Sequence, residues 1–234
     1  MSFLTNYLGI DIRLDKRTAL YGGSFNHDLT VYEVDKVHKL VDYINGYIEP
    51  VLLDVGASTG SYSLLPLVVE GLKVHSFEPS KAFEVLTNNI ELNNLNDSVV
   101  LNNVAVSNEV GKGMFYEVVS KDDSCLALSM LGGRPADHKR TKEYKVQVTT
   151  IDEYCKNIQV DAIKIDVEGN ELNVLKGAIE TIKRDRPVIM FEYSQENANQ
   201  YGYNSQDCID LLDDIGYFNE IIDNDVISTP LIWT

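Results

Sequence analysis

Short runs of apolar residues alternate along this chain with longer segments in which apolar residues recur every three or four positions. The clearest run, 51–55, is apolar except for Asp54, as expected of a strand that is buried on both faces of a parallel sheet. It leads directly into a turn that contains Gly56 and Gly60. Further strands are predicted at 74–77, 99–105, 113–119, 144–149, 162–167, 187–193, 218–222 and 226–233.

Helical periodicity occupies most of the intervals between these strands. It is found at 34–46, 61–70, 81–92, 151–156, 172–183 and 207–214. Pro66 lies within the second of these segments, where a mid-helix proline removes a hydrogen bond, so a short or bent helix is predicted there. Strands and helices that alternate at this spacing predict right-handed βαβ units, and therefore an α/β fold with a parallel sheet.

The chain is expected to form one domain, because no stretch of its 234 residues has the composition of a linker. Residues 1–33 carry turn signals and are predicted to form an N-terminal cap. Residues 120–145 form a long polar interval where a substrate lid is expected, and a mobile surface loop explains them equally well. His27 and His138 lie in these segments and are weaker candidates for a catalytic base.

The charge of the chain limits the classes of partner that it is expected to bind. Its formal net charge is −16, and so acidic a protein is repelled by nucleic acid and by anionic membranes, although acidity also serves solubility. No apolar run is long enough for a membrane span, and the N-terminus lacks the pattern of a signal peptide. Cys125, Cys155 and Cys208 are widely spaced, which predicts reduced thiols and a cytoplasmic location.

The turn after the first buried strand has the spacing Asp54-x-Gly56-x-x-x-Gly60. Glycine allows the backbone to approach a ligand closely, and a following helix offers free N–H groups. The turn lacks the Gly-x-Gly-x-x-Gly pattern of dinucleotide sites, and a carboxylate here would repel a pyrophosphate but attract an ammonium or sulfonium group. This favours S-adenosylmethionine (SAM) over NAD, while an ordinary strand-to-helix turn remains the alternative.

Polar residues also end the next two predicted strands. Glu78 stands where an acidic side chain can accept hydrogen bonds from both hydroxyls of a ribose, although it could simply be a polar strand end. Asn102 and Asn103 lie at the end of the third strand, where an amide could meet the edge of an adenine. A turn-forming role explains at least one of the two asparagines better.

Three carboxylates are expected at the same sheet edge as this turn. Asp166 and Glu168 end the fourth parallel strand, and Glu192 ends the fifth. Beside a methyl donor they could act as a general base for a hydroxyl, or hold a divalent metal ion. The alternative is that Asp166 or Glu171 caps the following helix; we favour a cap for Glu171 and a catalytic role for Asp166.

Five runs of the sequence resemble the FkbM-type SAM-dependent methyltransferases. They are LDVGASTG at 53–60, FEPS at 77–80, NIELN at 89–93, TID at 150–152 and KIDVEGNE at 164–171. Tyr32 and Glu33 also resemble the acidic position that precedes the family's first helix. The resemblance spans about residues 30–217, and Pro66 departs from the expected pattern.

The resemblance implies a class I methyltransferase (Rossmann-like) fold: a seven-stranded, mostly parallel sheet with an antiparallel last strand and helices on both faces. It implies SAM as cofactor and S-adenosylhomocysteine as product, and places Asp166 near the transferred methyl group. It also implies a cofactor site around the methionine part, the ribose and the adenine, formed by Asp54, Gly56, Ala57, Ser58, Gly60, Glu78, Pro79, Asn103 and Val104.

The family usually methylates an oxygen, often on a sugar or a polyketide. We therefore expect an O-methyltransferase that acts on a hydroxyl of a sugar or glycan, with Asp166, Glu168 and Glu192 as the catalytic residues. The alternatives are another small-molecule acceptor, a non-catalytic SAM-binding module, and an NAD-linked oxidoreductase, which the missing dinucleotide fingerprint disfavours. Metal dependence stays open.

Overall fold

The computed structural model describes residues 2–18, 34–118, 130–132 and 141–231 of the chain. The strands in this part, in chain order, are β1 (Ser2–Tyr7), β2 (Ile10–Asp15), β3 (Val51–Val55), β4 (Lys73–Phe77), β5 (Val99–Asn102), β6 (Ala105–Val106), β7 (Gly111–Val118), β8 (Met130–Leu131), β9 (Thr141–Thr149), β10 (Ala162–Ile165), β11 (Val188–Glu192), β12 (Tyr217–Ile222) and β13 (Asp225–Pro230). The α-helices are α1 (Val34–Ile44), α2 (Ala82–Leu92), α3 (Ile151–Tyr154), α4 (Glu171–Lys176), α5 (Ile179–Asp185), α6 (Gln195–Asn199) and α7 (Gln206–Asp214).

Seven strands form the central sheet in the order β12-β13-β11-β10-β3-β4-β5. Strand β13 runs antiparallel to both of its neighbours, and the other pairings are parallel. The predicted class I methyltransferase fold is therefore confirmed. The chain proceeds outward from β3 in one direction through β4 and β5, and in the other through β10 and β11. Ligands of open α/β sheets bind beyond the carboxyl ends of the strands at such a switch point, which here lies between β3 and β10.

The sheet is covered on both faces, because alternate strand residues point to opposite sides. Leu52 on β3 belongs to a core that also contains residues of α1, α2 and the β1–β2 hairpin. Its neighbour Leu53 belongs to a second core with residues of α3, α4, α5 and α7. This double burial explains why β3 and β10 are apolar along almost their whole length, and it confirms helices on both faces.

Three predicted elements differ in the structure. The strand expected at 99–105 is divided into β5 in the central sheet and β6 in a second sheet of order β6-β9-β7-β8. The break follows Asn102 and Asn103, whose side-chain amides donate to the backbone oxygens of Ser76 and Glu78 and turn the chain away. A one-turn 3-10 helix, Leu65–Leu67, stands in place of the helix expected at 61–70, since Pro66 opens it.

The helix expected at 172–183 consists of two helices, α4 and α5, with Gly177 between them. A side chain at Gly177 would begin 2.2 Å from the backbone oxygen of Ser107, so the chain bends where another loop presses against it. Helix α6 has no counterpart among the predicted elements. Its five residues are too few for a visible helical period.

The β1–β2 hairpin is the described part of the predicted N-terminal cap. Tyr7 donates its hydroxyl proton to the backbone oxygen of Ser61 at 2.6 Å, and the buried Asn89 on α2 accepts from the amide of Asp15 and donates to the oxygen of Thr59. The hairpin thus holds the segment that follows β3. Residues 19–33 of the cap and most of the predicted lid lie outside the described residues, as do His27, Tyr32, Glu33, Cys125 and His138.

Two further sequence expectations concern the compartment. Cys155 and Cys208 are buried and form no disulfide. Within the described ranges, no helix combines the length and apolar character that crossing a bilayer requires.

Candidate active site

The turn after β3 lies against the loop that follows β10. The amides of Gly56 and Ala57 both donate to the oxygen of Phe77 at 3.0 Å, which ties the turn to β4. Gly56 has a φ of +80°, and a Cβ on it would lie 1.8 Å from the backbone oxygen of Asp166. This glycine is therefore required by close contact between two loops of the protein, and not only by the approach of a ligand that its position in the sequence predicts.

Glu78 connects the turn to the end of β4. One of its carboxylate oxygens accepts from the amide of Ser58 and the other from the amide of Ser80, both at 2.8 Å. Burial raises the pKa of Glu78, and these hydrogen bonds oppose that shift. The Ser80 side chain is a third donor to this carboxylate, which has about four acceptor positions, so Glu78 is oriented and can still accept from a hydroxyl.

Asp54 lies at the end of β3, beneath the turn. It is 2% exposed, and Oδ2 accepts from the hydroxyl of Ser63 at 2.5 Å. Ser63 in turn lies 2.7 Å from the hydroxyl of Ser76 on β4. Burial raises the pKa of Asp54 to about 6, against the opposing effects of the Ser63 hydrogen bond and the positive charge of Lys164. The carboxylate therefore supports the turn from inside.

A cleft of about 350 Å³ lies beside Glu78. It is lined by Pro79, Ser80, Lys81, Phe83, Glu84, Asn103 and Tyr144. The side-chain amide of Asn103 donates to the oxygen of Glu78 at 2.8 Å, so Asn103 shapes the cleft wall. Val104 is partly buried and packs on the core beneath, and a side chain at Gly60 would begin 2.7 Å from Leu86 on α2.

Asp166 follows β10 directly, and its amide donates to the oxygen of Val55 at 2.9 Å. Its carboxylate is 40% exposed and lies 3.3 Å from the ammonium group of Lys164. Lys164 is buried, with Asp225 at 3.8 Å and the ring of Tyr62 at 5.2 Å, and Asp225 also pairs with Lys36 on α1. The partly exposed carboxylate of Asp166 is thereby linked to buried residues of alternating charge, Lys164, Asp225 and Lys36.

Glu168 and Glu192 meet at the side chain of Asn197 on α6. The Asn197 amide nitrogen donates to Oε2 of Glu168 at 3.1 Å and to Oε2 of Glu192 at 3.0 Å. Burial, followed by repulsion from Asp166, raises the pKa of both glutamates, that of Glu192 to about 8. The structure thus places Asp166 and Glu168 in the loop after β10, which contacts the β3 turn, and Glu192 at the end of the neighbouring strand β11.

The family model of the methyltransferase FkbM domain matches residues 54–218, which include Asp54, Glu78, Asp166, Glu168 and Glu192. The chain belongs to the FkbM methyltransferase family. No curated protein matches the sequence. Membership implies SAM as the methyl donor.

Two solved structures share the fold at low sequence identity. A methyltransferase FkbM from Methylobacillus flagellatus KT is 20% identical with a TM-score of 0.50, over 78% of this chain and 44% of that one. The T. thermophilus 16S rRNA N2 G1207 methyltransferase, solved with AdoMet and guanosine, is 12% identical with a TM-score of 0.51, over 99% of this chain and 50% of that one. The chain thus spans half or less of either length, and the likeness shows the fold alone.

The residues of this FkbM chain fit SAM. Glu78 is a buried, oriented carboxylate directly before Pro79, which lines the cleft together with Asn103, and such an acceptor suits a ribose hydroxyl. Asp54 and Asp166 place negative charge near the turn, where an ammonium or sulfonium group would be stabilised. Among the residues in the described ranges, no group of three or more His, Cys, Asp or Glu side chains is arranged to hold a metal ion, so no metal ligands are assigned.

Glu171, for which the sequence favoured a helix cap, bonds to the loop before the helix. Oε1 accepts from the amides of Val167 and Gly169, and the hydroxyl of Tyr203 donates to the oxygen of Gly169. Burial raises the pKa of Glu171 to about 7. Its carboxylate therefore shapes the loop that carries Glu168 instead of capping the helix.

Sequence reasoning missed the supporting residues of the site. Lys164 stands in an otherwise apolar strand, and a lysine there signals buried acidic partners. Asn197 follows Ser194 by three positions, the spacing of the N-cap bond that its amide makes. No local signal marks Ser63 or Ser76 as partners of Asp54, since they come from separate elements.

Replacement of Glu78 by alanine should weaken SAM binding roughly 100-fold, because two hydrogen bonds to a charged acceptor are worth about 3 kcal/mol together. Isothermal titration calorimetry with SAM measures this change. Glu84→Ala is the matched control, since Glu84 lines the same cleft but is exposed and pairs with Arg17. Equal affinity in the two variants would remove Glu78 from the cofactor site.

Proposed function

We propose that this FkbM chain is a SAM-dependent O-methyltransferase whose acceptor is a hydroxyl of a sugar or glycan. The observation that supports it most is the meeting of Asp166, Glu168 and Glu192 beside the β3 turn. A hydroxyl is a weak nucleophile until its proton is removed, and a carboxylate with a raised pKa is a suitable base near neutral pH.

The proposed mechanism divides the work between two sides of the crevice. Glu78 and the β3 turn would hold the cofactor, which would supply a methyl group: the C–S bond would break as the acceptor oxygen forms the new C–O bond, with the electron pair left on sulfur. Asp166 accepts a hydrogen bond from the acceptor hydroxyl and orients its lone pair. The Glu168–Glu192 pair receives the proton. Positioning of the two reactants then supplies much of the rate enhancement.

The charge of the chain supports a neutral acceptor. With a net charge of −16 and carboxylates around the crevice, a phosphodiester backbone would be repelled. The T. thermophilus protein is named as an rRNA methyltransferase, and RNA is therefore included as a competing outcome of the test. A different small-molecule acceptor and SAM binding without turnover are two further competing hypotheses. The unpaired, buried Cys155 and Cys208 support the proposal of a cytoplasmic location.

A panel assay tests this function. Purified protein is incubated with isotope-labelled SAM and with mono- and oligosaccharides, polyhydroxylated natural products and total RNA, and products are identified by mass spectrometry. A mass gain of one methyl group on a sugar oxygen is expected. Transfer to RNA, or SAM binding without transfer to any member of the panel, would contradict the proposal.

Asp166→Asn should lower the rate of that transfer roughly 100-fold and leave SAM affinity within about twofold, because the amide keeps the shape of the carboxyl but is an uncharged and weaker hydrogen-bond acceptor for the hydroxyl. Single-turnover kinetics on the methylated sugar measure the rate, and calorimetry the affinity. Asp223→Asn, a change of the same chemistry in the exposed turn between β12 and β13, is the control. An unchanged rate in Asp166→Asn would exclude the proposed role.

A further inference from the structure

Asn197 bridges two acidic side chains, Glu168 in the loop after β10 and Glu192 at the end of β11. Its one amide nitrogen donates to two carboxylates, Glu168 at 3.1 Å and Glu192 at 3.0 Å. The two accepting oxygens are therefore no more than about 6 Å apart. Both N–H groups of the amide are consumed by this bridge, so the side chain is matched to a pair of acceptors.

The bridge is held rigidly in place. The backbone N–H of Asn197 donates to the hydroxyl of Ser194, the residue that caps α6. The backbone oxygen of Asn197 lies against Gly169, where a Cβ would come within 2.4 Å of it. Helix α6 is thus packed on the loop that carries Glu168, while its first residues follow directly from Glu192 at the end of β11. The fold fixes all three groups relative to one another.

The surroundings of the pair are acidic. Besides burial, the negative charges of Asp166, in the loop after β10, and Glu171, on α4, raise the pKa of both glutamates, and the positive charge of Lys164 on β10 lowers that of Glu192. Two carboxylates at this separation repel each other when both are ionised, so the second proton leaves the pair at a higher pH than the first. The amide bridge favours the ionised form, because it donates to both.

We propose that Asn197 is a positioning residue that holds Glu168 and Glu192 as a pair sharing one proton, with the ionised member ready to take the proton of the acceptor hydroxyl. The use of this pair rests on the proposed O-methyl transfer, but the sharing itself is a property of the free protein. The proton balance is simple. The pair carries one proton before transfer and two after it, and returns one to water when the product leaves.

The sharing can be measured without cofactor or acceptor. The full chain is labelled with ¹³C at the glutamate δ-carbon, and carboxyl shifts are followed by NMR from about pH 4 to about pH 10, with Glu168→Gln and Glu192→Gln for assignment. Two separate titration steps are expected for the pair, and the apparent pKa of the upper step should lie well above the usual range of glutamate. Glu168→Gln should lower the Glu192 step by about one pH unit or more, since it removes the neighbouring charge. Independent titration of both carboxyls near about pH 4.5 would overturn the proposal.

Asn197→Ala tests the positioning role. It should raise the upper step by roughly one pH unit, because both hydrogen bonds to the ionised form are lost. Asn199→Ala is the matched control in the same helix, since the Asn199 side chain bonds Gln195 in an exposed position. A purely structural role would lower the melting temperature and leave the titration unchanged. A shift in Asn197→Ala no larger than in Asn199→Ala would reject the assignment.

The two proposals fail separately. If no sugar is methylated but the coupled titration is present, the O-methyltransferase function is wrong and the pair remains. If sugars are methylated and the two carboxyls titrate independently, the function stands and the sharing of a proton is wrong.

Discussion

Gly56→Ala is expected to abolish measurable SAM binding and to lower the melting temperature by about 5–15 °C. The new methyl group would lie 1.8 Å from the backbone oxygen of Asp166, far inside van der Waals contact, and the φ of +80° adds a conformational cost. Overpacking costs about 1–3 kcal/mol and a left-handed backbone about 1–2 kcal/mol, and each kcal/mol shifts the melting temperature by about 2–4 °C in a protein of this size. Calorimetry with SAM and thermal unfolding measure the two effects.

Gly202→Ala separates the two causes. Gly202 has a φ of +75°, and a Cβ there meets no atom within 4 Å, so this variant carries the backbone cost without the clash. It should lose about 1 kcal/mol and bind SAM normally. If Gly56→Ala behaves like Gly202→Ala, the contact between the two loops does not determine the shape of the cofactor turn.

Lys164→Met is expected to destabilise the protein by about 3 kcal/mol at pH 7, because removal of one partner from a buried ion pair leaves a charge without compensation. Lys164 lies between Asp166 and Asp225, and its positive charge also lowers the pKa of Asp54. This loss of stability lies at the lower end of the range for broken buried ion pairs, because Asp225 keeps Lys36 as a partner. Denaturant unfolding followed by circular dichroism measures the loss.

The cost of Lys164→Met should grow with pH. The folded-state pKa of Asp54, about 6, lies above its ordinary value, so its contribution to stability is present below about pH 4 and is lost as pH rises through 6. Loss of Lys164 raises this pKa further and extends the decline to higher pH. Lys145→Met, in an exposed position of β9, is the control and should be nearly neutral. Equal destabilisation by Lys164→Met at about pH 5 and about pH 7 would contradict a coupling of Lys164 to Asp54.

A double variant tests whether Lys164 acts on Asp166. If the two charges stabilise each other, Lys164→Met combined with Asp166→Asn should cost less than the two single variants together, because the second change removes the uncompensated charge. Strict additivity would show that Lys164 serves Asp225 and the core instead of the exposed acid of the crevice.

The central sheet was predictable because its signal is local. The apolar run of β3, the glycine turn and the acidic end of β4 follow one another within a short stretch, and burial on both faces leaves a pattern that no surface strand has. Helix α6 and the division of 172–183 at Gly177 were not predictable. They depend on contacts with Gly169 and Ser107, which are remote in sequence.

Neighbouring residues along the chain are enough to specify the class of fold, the family and the strand ends at which the acidic residues stand, since element order and short motifs are local properties. What those residues do depends on tertiary packing. Gly56 contacts the loop that contains Asp166, Asp54 is buried and bonded to Ser63, and Asn197 bridges glutamates from a loop and from a strand end. Such pairings arise when distant segments pack and each buried polar group must find a partner, which periodicity along the chain does not specify.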